Sequence, residues 1–378
     1  MTVSTEALAF GAQADRAGRV RWREQMAAEQ EAALPQGSVT VSCSAPLGTG
    51  GLGRHLQELV DALARRGQPS TCISGGERGA RQRGLAIKLL ELPLPLSPAI
   101  RTCASTGEFD AYAARRLPPA EHLIAFNGQA LAQLVRAERV GYRTRTLVSA
   151  NSHMRRVIRR HEEALRRYPL EGSWASRMLR RNLRELERCD RVLVASRYIR
   201  ESFLEQGFAE DRLDWFPLTP HPRFDVARQA APPSDRFEII YVGSLAVHKG
   251  VPLLIDAVRR LPHPEIRLRL VGGWGTRGMR RFVERACAQD SRILAGPGDP
   301  LPSLATANVY VHAAYEDGFG YAPAEALAAG VPVIVTEDTG MKDLIDSRSA
   351  GLVVPTGELD VLVQAIEAAY RGELFAGR

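Results

Sequence analysis

Short apolar runs alternate with amphipathic helical patterns over nearly all 378 residues of the chain. The runs have the length of strands and the patterns between them that of crossover helices, so the sequence predicts parallel sheets covered by helices. The length allows two domains, each with its own core. The predicted fold class is therefore α/β, with two doubly wound domains. The predicted strands span residues 39–44, 70–74, 123–126, 146–150 and 191–196 in the first half and 238–242, 266–271, 292–294, 309–314, 331–335 and 352–354 in the second.

The stretch between the two halves predicts a hinge, because it is rich in proline and in polar residues. We predict an N-terminal helical extension over residues 1–36, a first domain over 37–218, a hinge over 219–236 and a second domain over 237–378. Two such domains face each other across a cleft at the carboxyl ends of their strands. The predicted helices of the first half span residues 54–66, 130–138, 152–168, 174–187 and 198–206.

Arginine is concentrated between Arg143 and Arg191. This stretch holds fourteen arginines, no lysine and six acidic residues, so it accounts for the net charge of +7 of the whole chain. Within predicted helix 174–187 the arginines repeat at spacings of three and four, with leucines on the opposite side, which predicts an amphipathic helix with a basic face. The arginines are Arg177, Arg180, Arg181, Arg184 and Arg188, and the leucines are Leu179, Leu183 and Leu186.

Two interpretations of this basic region stay open at this point. One is an ordinary solvated helix surface, and the other is contact with an anionic membrane or an anionic acceptor. Nucleic-acid binding fits poorly, because no aromatic residues are interleaved and no docking motif is present. No apolar run approaches the roughly 20 residues of a membrane span, and residues 1–36 lack the apolar core of a secretory signal.

The cysteine pattern favours a reducing compartment. The five cysteines are scattered and form no CxxC pair, which favours buried thiols over a disulfide framework or a zinc site. We therefore predict a cytoplasmic protein, peripheral at the inner membrane face if the basic region binds lipid.

Residues 315–325 carry the most informative motif of the chain. An acidic residue, Asp317, stands on a glycine-rich loop, and a second carboxylate, Glu325, follows eight positions later. Pro323 and Gly330 bracket a short helix, so Glu325 is expected in its first turn, where it can accept hydrogen bonds from hydroxyl groups. The glycines let backbone amides approach a ligand at the positive end of this helix. The segment therefore predicts a nucleotide-sugar site.

Two further glycine-rich loops follow predicted strands. Residues 48–53 match G-x-G-x-x-G literally, so a nicotinamide-binding dehydrogenase is an alternative, but residues 45–47 separate the motif from its strand and no ribose-binding acid directly follows the next strand. In residues 243–250, Lys249 is positioned to neutralise a leaving diphosphate, or is a surface lysine at a loop tip. Trp274, on the loop after the next strand, either lines the cleft or packs in the core.

His153 follows predicted strand 146–150, at the carboxyl edge where cleft residues belong. A lone histidine is commonly a structural hydrogen-bonding residue, and both interpretations stay open on its position alone. No nucleophile elbow and no metal-ligand cluster appears in the sequence.

Together these motifs resemble the retaining glycosyltransferases of family 4, which have the GT-B architecture of two Rossmann-like domains. The resemblance spans about residues 39–370 and is most specific over 238–355. It implies that Asp317 lies near the transferred sugar with His153, that Glu325 binds the donor ribose, and that Lys249 faces the leaving phosphate. The other residues implicated in donor binding are Gly50, Gly51, Ser244, Gly318, Phe319, Gly320 and Tyr321.

Three departures from the family pattern stand out. The first acid is an aspartate rather than a glutamate, with Glu316 beside it. Ser244 stands where the family usually has an arginine, for which Arg54 and Arg277 are candidate replacements. The chain also ends soon after predicted helix 359–370, where relatives commonly add a helix that packs on the first domain, and residues 1–36 are a candidate substitute.

The resemblance implies sugar transfer from a nucleotide-diphosphate donor to a hydroxyl acceptor, with retention of anomeric configuration by front-face displacement. It implies a nucleotide-diphosphate sugar as co-substrate, and neither a cofactor nor a metal. The acceptor is a lipid or glycan in carbohydrate biosynthesis, or a natural-product aglycone. The alternatives are a GT-B phosphorylase or sugar-phosphate synthase, and a catalytically inactive GT-B binding partner, which Ser244 and Asp317 motivate.

Overall fold

The computed structural model describes residues 16–76, 84–87, 98–225, 235–345 and 350–375. Contacts divide the chain into two compact units. The first unit comprises Glu24–Ile158 and Gly172–Leu218, and the second comprises Met1–Arg23, Arg159–Glu171 and Thr219–Arg378. The predicted domain boundaries and the hinge stay predictions, and residues 226–234 of that hinge lie outside the described ranges.

The first unit is built on a seven-stranded sheet in which every neighbouring pair is parallel. Its strands are β1 (Val39–Cys43), β2 (Ser70–Gly75), β3 (Gly84–Ile87), β4 (His122–Phe126), β5 (Thr144–Ser149), β6 (Arg191–Val194) and β7 (Leu213–Trp215). Their order is β3-β2-β1-β4-β5-β6-β7, so the chain direction across the sheet reverses between β1 and β4. In doubly wound sheets ligands bind beside such a reversal, at the carboxyl ends of the strands.

The helices that lie wholly or partly in the first unit connect these strands. They are α1 (Arg16–Ala32), α2 (Gly50–Arg65), α3 (Pro98–Arg115), α4 (Leu131–Arg139), α5 (Met154–Arg167), α6 (Ala175–Leu186) and α7 (Arg197–Leu204).

The second unit is built on a six-stranded sheet, again with parallel neighbours throughout. Its strands are β8 (Phe237–Val242), β9 (Ile266–Val271), β10 (Ile293–Gly296), β11 (Val309–His312), β12 (Val333–Thr336) and β13 (Gly351–Val354), in the order β10-β9-β8-β11-β12-β13. Its helices after β8 are α8 (Val251–Arg260), α9 (Arg277–Gln289), α10 (Leu301–Thr306), α11 (Tyr321–Ala328) and α12 (Leu359–Tyr370). The predicted α/β class with two doubly wound sheets is confirmed.

The predicted ends of several strands were wrong. Residues predicted to continue these strands make hydrogen bonds with loops and helices instead of with a neighbouring strand. Predicted strand 309–314 ends at His312, and predicted strand 331–335 begins at Val333. The Val331 amide instead donates to the Ala326 carbonyl at 2.8 Å. Predicted strand 191–196 ends at Val194, and the Ser196 side chain caps α7 by accepting from the Ile199 amide. The edge strands β3 and β7 and the helix α3 were not predicted.

Helix α2 begins four residues earlier than predicted, at Gly50 rather than at residue 54. The loop before it is tight, because a Cβ added at Gly53 would lie 2.0 Å from the Pro46 carbonyl oxygen. Gly50 itself has φ +62, which glycine adopts without strain. The motif 48–53 therefore serves close packing between a loop and the first turn of a helix.

Helix α1, within the predicted N-terminal extension, packs on α2. The Gln30 side-chain amide donates to Glu58 and to the Pro217 carbonyl, each at 2.8 Å, and Arg65 donates to Glu31 at 2.8 Å. The second half of this helix is thus bound to the first unit by polar contacts with two different elements.

The predicted basic helix α6 does not turn all its arginines to solvent. Arg181 pairs with Asp110 and donates from Nε to Glu185 at 3.2 Å. Glu185 is fully buried and also accepts from the amides of Gly128 and Ala130, so this arginine neutralises carboxylates that hold the loop after β4. The predicted leucine face was partly wrong: Leu186 is buried but Leu179 and Leu183 are half-buried, while Arg177, Arg180 and Arg184 are exposed.

His55, on α2, is packed between two aromatic rings in the first unit. Its ring centroid lies 5.1 Å from that of Phe126 and 5.9 Å from that of Phe216. The side chain is buried, and its Nε2 has no hydrogen-bond partner within the described ranges. Burial lowers the pKa of His55 from 6.5 to about 3.

We expect His55 to make the protein less stable in weak acid. The unfolded chain protonates this residue below pH 6.5 while the folded state keeps it neutral down to about pH 3, so stability present above pH 6.5 is lost as the pH falls. At about pH 5.5 the cost is about 1.4 kcal/mol. The free energy of unfolding, measured with urea, should fall between about pH 7.5 and 5.5 in the wild type. In His55→Phe this fall should be smaller by about 1.4 kcal/mol.

Phe216→Leu is the matched control, because it disturbs the same cluster without removing a titratable group. Relative to the wild type, it should lower the free energy of unfolding by the same amount at both pH values. The same pH-dependent loss in His55→Phe as in the wild type would contradict the assignment.

Candidate active site

The loop between β8 and α8 is held against the segment that follows β11. Gly250 has φ +69, and a Cβ added there would lie 1.7 Å from the Ala313 carbonyl oxygen. The Tyr315 amide donates to the His248 carbonyl at 2.8 Å. These two contacts fix the residue between them, Lys249, beside the chain that leads to Asp317.

Asp317 is held by the loop that follows β12. Its amide donates to the Asp338 carbonyl at 3.1 Å, and its carbonyl accepts from the Gly340 amide at 3.0 Å, so that Asp317 and Thr339 form an isolated parallel bridge. This isolated bridge lies beyond the ends of β11 and β12. Both backbone hydrogen-bonding groups of Asp317 are therefore paired, like those of a strand residue.

The side chains of Lys249 and Asp317 form an ion pair at the carboxyl edge of the second sheet. Lys249 Nζ lies 3.2 Å from Asp317 Oδ2 and donates to the Glu316 carbonyl, also at 3.2 Å. His312 Nε2 lies 3.0 Å from the same Oδ2. The sequence predicted that Lys249 and Asp317 converge, and the structure brings them into direct contact.

These partners determine the charge state of Asp317. Burial alone would raise the pKa of its carboxyl, but the Lys249 ammonium and the His312 hydrogen bond outweigh burial and hold the pKa well below its usual range. Asp317 is therefore a carboxylate at neutral pH.

His312 reaches Asp317 from a stack of buried rings. Its ring lies 6.1 Å from that of Tyr241 and 6.2 Å from that of Tyr310. Its Nδ1 is buried and has no hydrogen-bond partner in the part of the chain that the structure describes. An N–H at Nδ1 would be left unsatisfied there, so Nε2 carries the proton and donates to Asp317.

The start of α11 lies close to Asp317, because a Cβ added at Gly320 would be 3.2 Å from Oγ1 of Thr339, the residue that bridges Asp317. Gly320, with φ +87, precedes the helix, and Pro323 has no N–H. Across the described ranges, the amides of Phe319, Gly320 and Ala322 donate to no acceptor. Such a helix start favours an anion through its N–H groups and its dipole.

Glu325 lies one turn deeper than predicted. Because α11 begins at Tyr321, Glu325 is its fifth residue and not part of the first turn; the side chain is buried. Burial raises the pKa of Tyr310 well above its usual value, and the charges of Asp317 and Glu325 add to that rise. Both carboxylates therefore lie within electrostatic reach of one buried ring.

The other predicted residues of the second unit surround this site less directly. Ser244 is exposed, and its carbonyl accepts from the Tyr241 hydroxyl at 2.9 Å. Trp274 pairs with Leu245 in an isolated bridge and packs against the core. Arg277 is exposed at the first position of α9. The family pattern has an arginine at the position of Ser244. Among the contacts of Lys249 in the described ranges, no other arginine replaces it.

The remaining predicted residues lie in the first unit. Gly50 and Gly51 are exposed, and a Cβ at either would meet no atom within 4 Å. His153 is buried before the first residue of α5, where its Nδ1 accepts from the Arg155 amide at 3.3 Å. Burial, with the charge of Arg155, lowers the pKa of His153 to about 4. Nδ1 thus has a structural role, and a catalytic role of His153 stays a prediction.

His312 and Glu171 are two residues of the site that were not predicted from the sequence. Glu171 Oε1 accepts from the Val247 amide at 3.1 Å. A polar residue at the end of an apolar strand was a usable signal for His312. Glu171 carried no such signal, because it lies 76 positions from its partner.

Two family models match the chain. The model described as Glycosyltransferase Family 4 matches residues 49–218, and the model described as Glycosyl transferases group 1 matches residues 223–376. A GDP-mannose-dependent alpha-mannosyltransferase of Mycobacterium tuberculosis is 30% identical over 179 residues, 45% of this chain and 45% of that protein. A GDP-mannose:glycolipid 4-beta-D-mannosyltransferase of Xanthomonas campestris pv. campestris is 32% identical over 125 residues, 33% of either chain. The matched stretches span a third to less than half of these relatives.

Solved structures share the fold at low sequence identity. Sucrose-phosphate synthase of Thermosynechococcus elongatus has a TM-score of 0.69 at 19% identity, over 89% of this chain and 90% of that one. WaaG, a glycosyltransferase involved in lipopolysaccharide biosynthesis, has a TM-score of 0.63 at 17% identity, over 88% and 90%. The two parallel sheets and these neighbours define the GT-B class of folds. The chain belongs to the glycosyltransferases of family 4, since the two models together match most of its length. The matches lend no support to the dehydrogenase alternative.

We expect Gly250→Ala to disrupt the Lys249 loop. The added Cβ would lie 1.7 Å from the Ala313 carbonyl oxygen at a φ of +69, so the free energy of unfolding should fall by more than about 1 kcal/mol. Gly273→Ala, on the loop after β9, is the matched control because its Cβ meets nothing within 4 Å. Thermal unfolding should separate the two variants, and equal melting temperatures would refute the assigned contact.

Proposed function

We propose that the protein transfers a sugar from a nucleotide-diphosphate donor to a hydroxyl acceptor. The observation that carries this proposal is the contact of Lys249 with Asp317 at 3.2 Å beside the start of α11. A cation and amides suit the diphosphate, while a fixed carboxylate suits the sugar that leaves it. Membership of the family supports the same reaction class.

Lys249 and the amides act on the leaving group. Cleavage of the sugar–phosphate bond places negative charge on the diphosphate, and preorganised donors stabilise that charge as it develops. Two of the three N–H groups of Lys249 contact Asp317 and the Glu316 carbonyl, so one is left to reach a phosphate oxygen. Phe319, Gly320 and Ala322 supply amides from the helix start.

Asp317 acts on the sugar by charge and not by proton transfer, because it is ionised at neutral pH. It stabilises positive charge that develops at the sugar ring. It is a poor nucleophile, because the ion pair with Lys249 and the hydrogen bond from His312 stabilise its negative charge. Glu325 holds the donor ribose. The displacement is front-face, with the departing phosphate taking the acceptor proton, so the anomeric configuration is retained.

The relatives do not decide the stereochemistry. Two of the relatives have names that specify GDP-mannose. The Mycobacterium tuberculosis protein is named as an alpha-mannosyltransferase and the Xanthomonas campestris protein as a 4-beta-D-mannosyltransferase. GDP-mannose is the first donor to test for this chain. UDP-glucose follows, because it is bound in the solved structure of Anabaena HepE, which shares the fold with a TM-score of 0.61 at 16% identity. Sugar phosphates belong among the acceptors, because they separate the transferase from a sugar-phosphate synthase. Binding of no nucleoside diphosphate would support the inactive-partner alternative.

Removal of the Lys249 charge should abolish most activity. Lys249→Met is expected to weaken nucleoside diphosphate binding about 10- to 100-fold, the worth of one charge-assisted hydrogen bond. Glu325→Gln should weaken it through the ribose, and NMR of the product should show the configuration of the donor. Calorimetry and a transfer assay are the measurements, with Arg260→Met, an exposed cation at the far end of α8, as control. Wild-type binding and transfer in both site variants would refute the proposal.

The acceptor lies at an anionic lipid surface in this proposal. The support is the exposed charge of α6: Arg177, Arg180 and Arg184 form no ion pair with any residue of the described ranges. No helix in these ranges is long and apolar enough to span a bilayer. Attraction to anionic lipid is worth about 1 kcal/mol for each arginine near the surface.

Neutralising two of these arginines should weaken vesicle binding. Arg180→Gln/Arg184→Gln is expected to bind vesicles containing phosphatidylglycerol about 30-fold less tightly than the wild type. Arg281→Gln/Arg285→Gln is the matched control, because these exposed arginines have the same spacing on α9. In flotation with vesicles of phosphatidylcholine alone, none of the three proteins should be recovered with the vesicles. Equal losses in both variants would remove α6 as the docking surface.

A further inference from the structure

Residues Arg159–Glu171, here named the strap, stand in sequence between β5 and β6 of the first sheet. By their contacts they nevertheless belong to the second unit. The strap contains the second part of α5 and the four residues after it. Residues at both of its ends contact the loops that carry Lys249 and Asp317.

The carboxyl-terminal end of the strap holds the Lys249 loop. Glu171 accepts from the Val247 amide at 3.1 Å and hydrogen-bonds to the Thr276 hydroxyl. Val247 is fully buried, so its amide needs this acceptor. The ring of His161, also in the strap, stacks on His248 with centroids 4.4 Å apart. Both contacts fall directly before Lys249.

The amino-terminal end of the strap reaches the loop that holds Asp317. Arg160 forms an ion pair with Asp338 and a hydrogen bond of 2.7 Å with Glu163. The Asp338 carbonyl accepts from the Asp317 amide at 3.1 Å. Arg160 therefore contacts the residue whose backbone fixes Asp317.

Between these ends the strap is anchored to the scaffold of the second unit. Ala164 and Tyr168 are part of its hydrophobic core. The Tyr168 hydroxyl bonds to Asp256 on α8 at 2.7 Å, and Arg167 donates to the Gly357 carbonyl at 2.7 Å. The strap is therefore packed on the core of the second unit, mainly through the apolar surface of Ala164 and the ring of Tyr168.

We propose that Glu171 is a positioning residue for Lys249, acting through the Val247 amide, and that Arg160 supports Asp317 through its ion pair with the Asp338 side chain. The inference rests on the proposed function, because it assigns these residues to the geometry of that site. Glu171 sets the place of the loop two residues before Lys249, and the 3.2 Å contact of Lys249 with Asp317 follows from it. Loss of the acceptor frees the loop and separates the two charges.

The test compares two side chains of equal length at position 171. Glu171→Gln keeps an oxygen that accepts from Val247, whereas Glu171→Met has none. We expect the methionine variant to lose about tenfold in kcat and in affinity for the nucleoside diphosphate, and the glutamine variant to stay within about threefold of the wild type. Tyr168→Phe is the control: it removes a strap hydrogen bond that does not touch the Lys249 loop, so it should alter stability and leave kcat near the wild-type value.

Two readouts separate positioning from a merely structural role. Amide hydrogen exchange over residues 245–250 should accelerate in Glu171→Met and not in Glu171→Gln. In a Lys249→Met background, Glu171→Met should cause no further loss of activity, because the residue through which it acts is already gone. Additive losses would identify a general loss of folding and overturn the proposal.

The exchange experiment also keeps this inference distinct from the proposed function. Unchanged exchange in Glu171→Met overturns the strap proposal whatever the activity. Faster exchange with unchanged kcat and diphosphate affinity overturns it as well, since Lys249 would then need no positioning. A wild-type protein that binds no nucleoside diphosphate and transfers no sugar refutes the proposed function, while the exchange rates still decide whether Glu171 holds the loop.

Discussion

The ion pair of Lys249 with Asp317 is the interaction around which the candidate site is organised. The two residues come from loops after different strands, and each loop is fixed by its own backbone contacts: Gly250 against the Ala313 carbonyl, and Asp317 in its bridge with Thr339. A part-buried carboxylate is costly without a partner. The pair, with His312, satisfies this carboxylate and leaves the adjacent helix start available to an anion.

The parallel sheet makes such convergence predictable from sequence. Carboxyl ends of neighbouring strands meet at one edge, so glycine-rich loops that follow two strands come together there. That rule was enough to place Lys249 near Asp317. The ends of helices depend instead on the local sequence pattern, which predicted α12 over residues 359–370. The pattern was insufficient for the start of α2, because Gly50 has poor helix propensity and the close packing of Gly53 on Pro46 decides where the helix begins.

Side-chain roles were less predictable than strand positions. Arg181 belongs by spacing to a basic surface, yet it lies between Asp110 and Glu185 and neutralises them. A helical pattern records which residues share a face, but a carboxylate supplied by another helix can turn one of them inward. The same limit applies to Glu171, whose partner lies far away in the sequence and on another structural element.

The strap has a consequence for how such a protein can be divided. A cut in the proline-rich segment near residue 218 looks like a natural place to exchange halves between homologues. Such a chimera would combine Lys249 from one parent with Glu171 and Tyr168 from the other. The thirteen residues from Arg159 to Glu171 must therefore come from the same parent as the second half of the chain, although the gene encodes them within the first half.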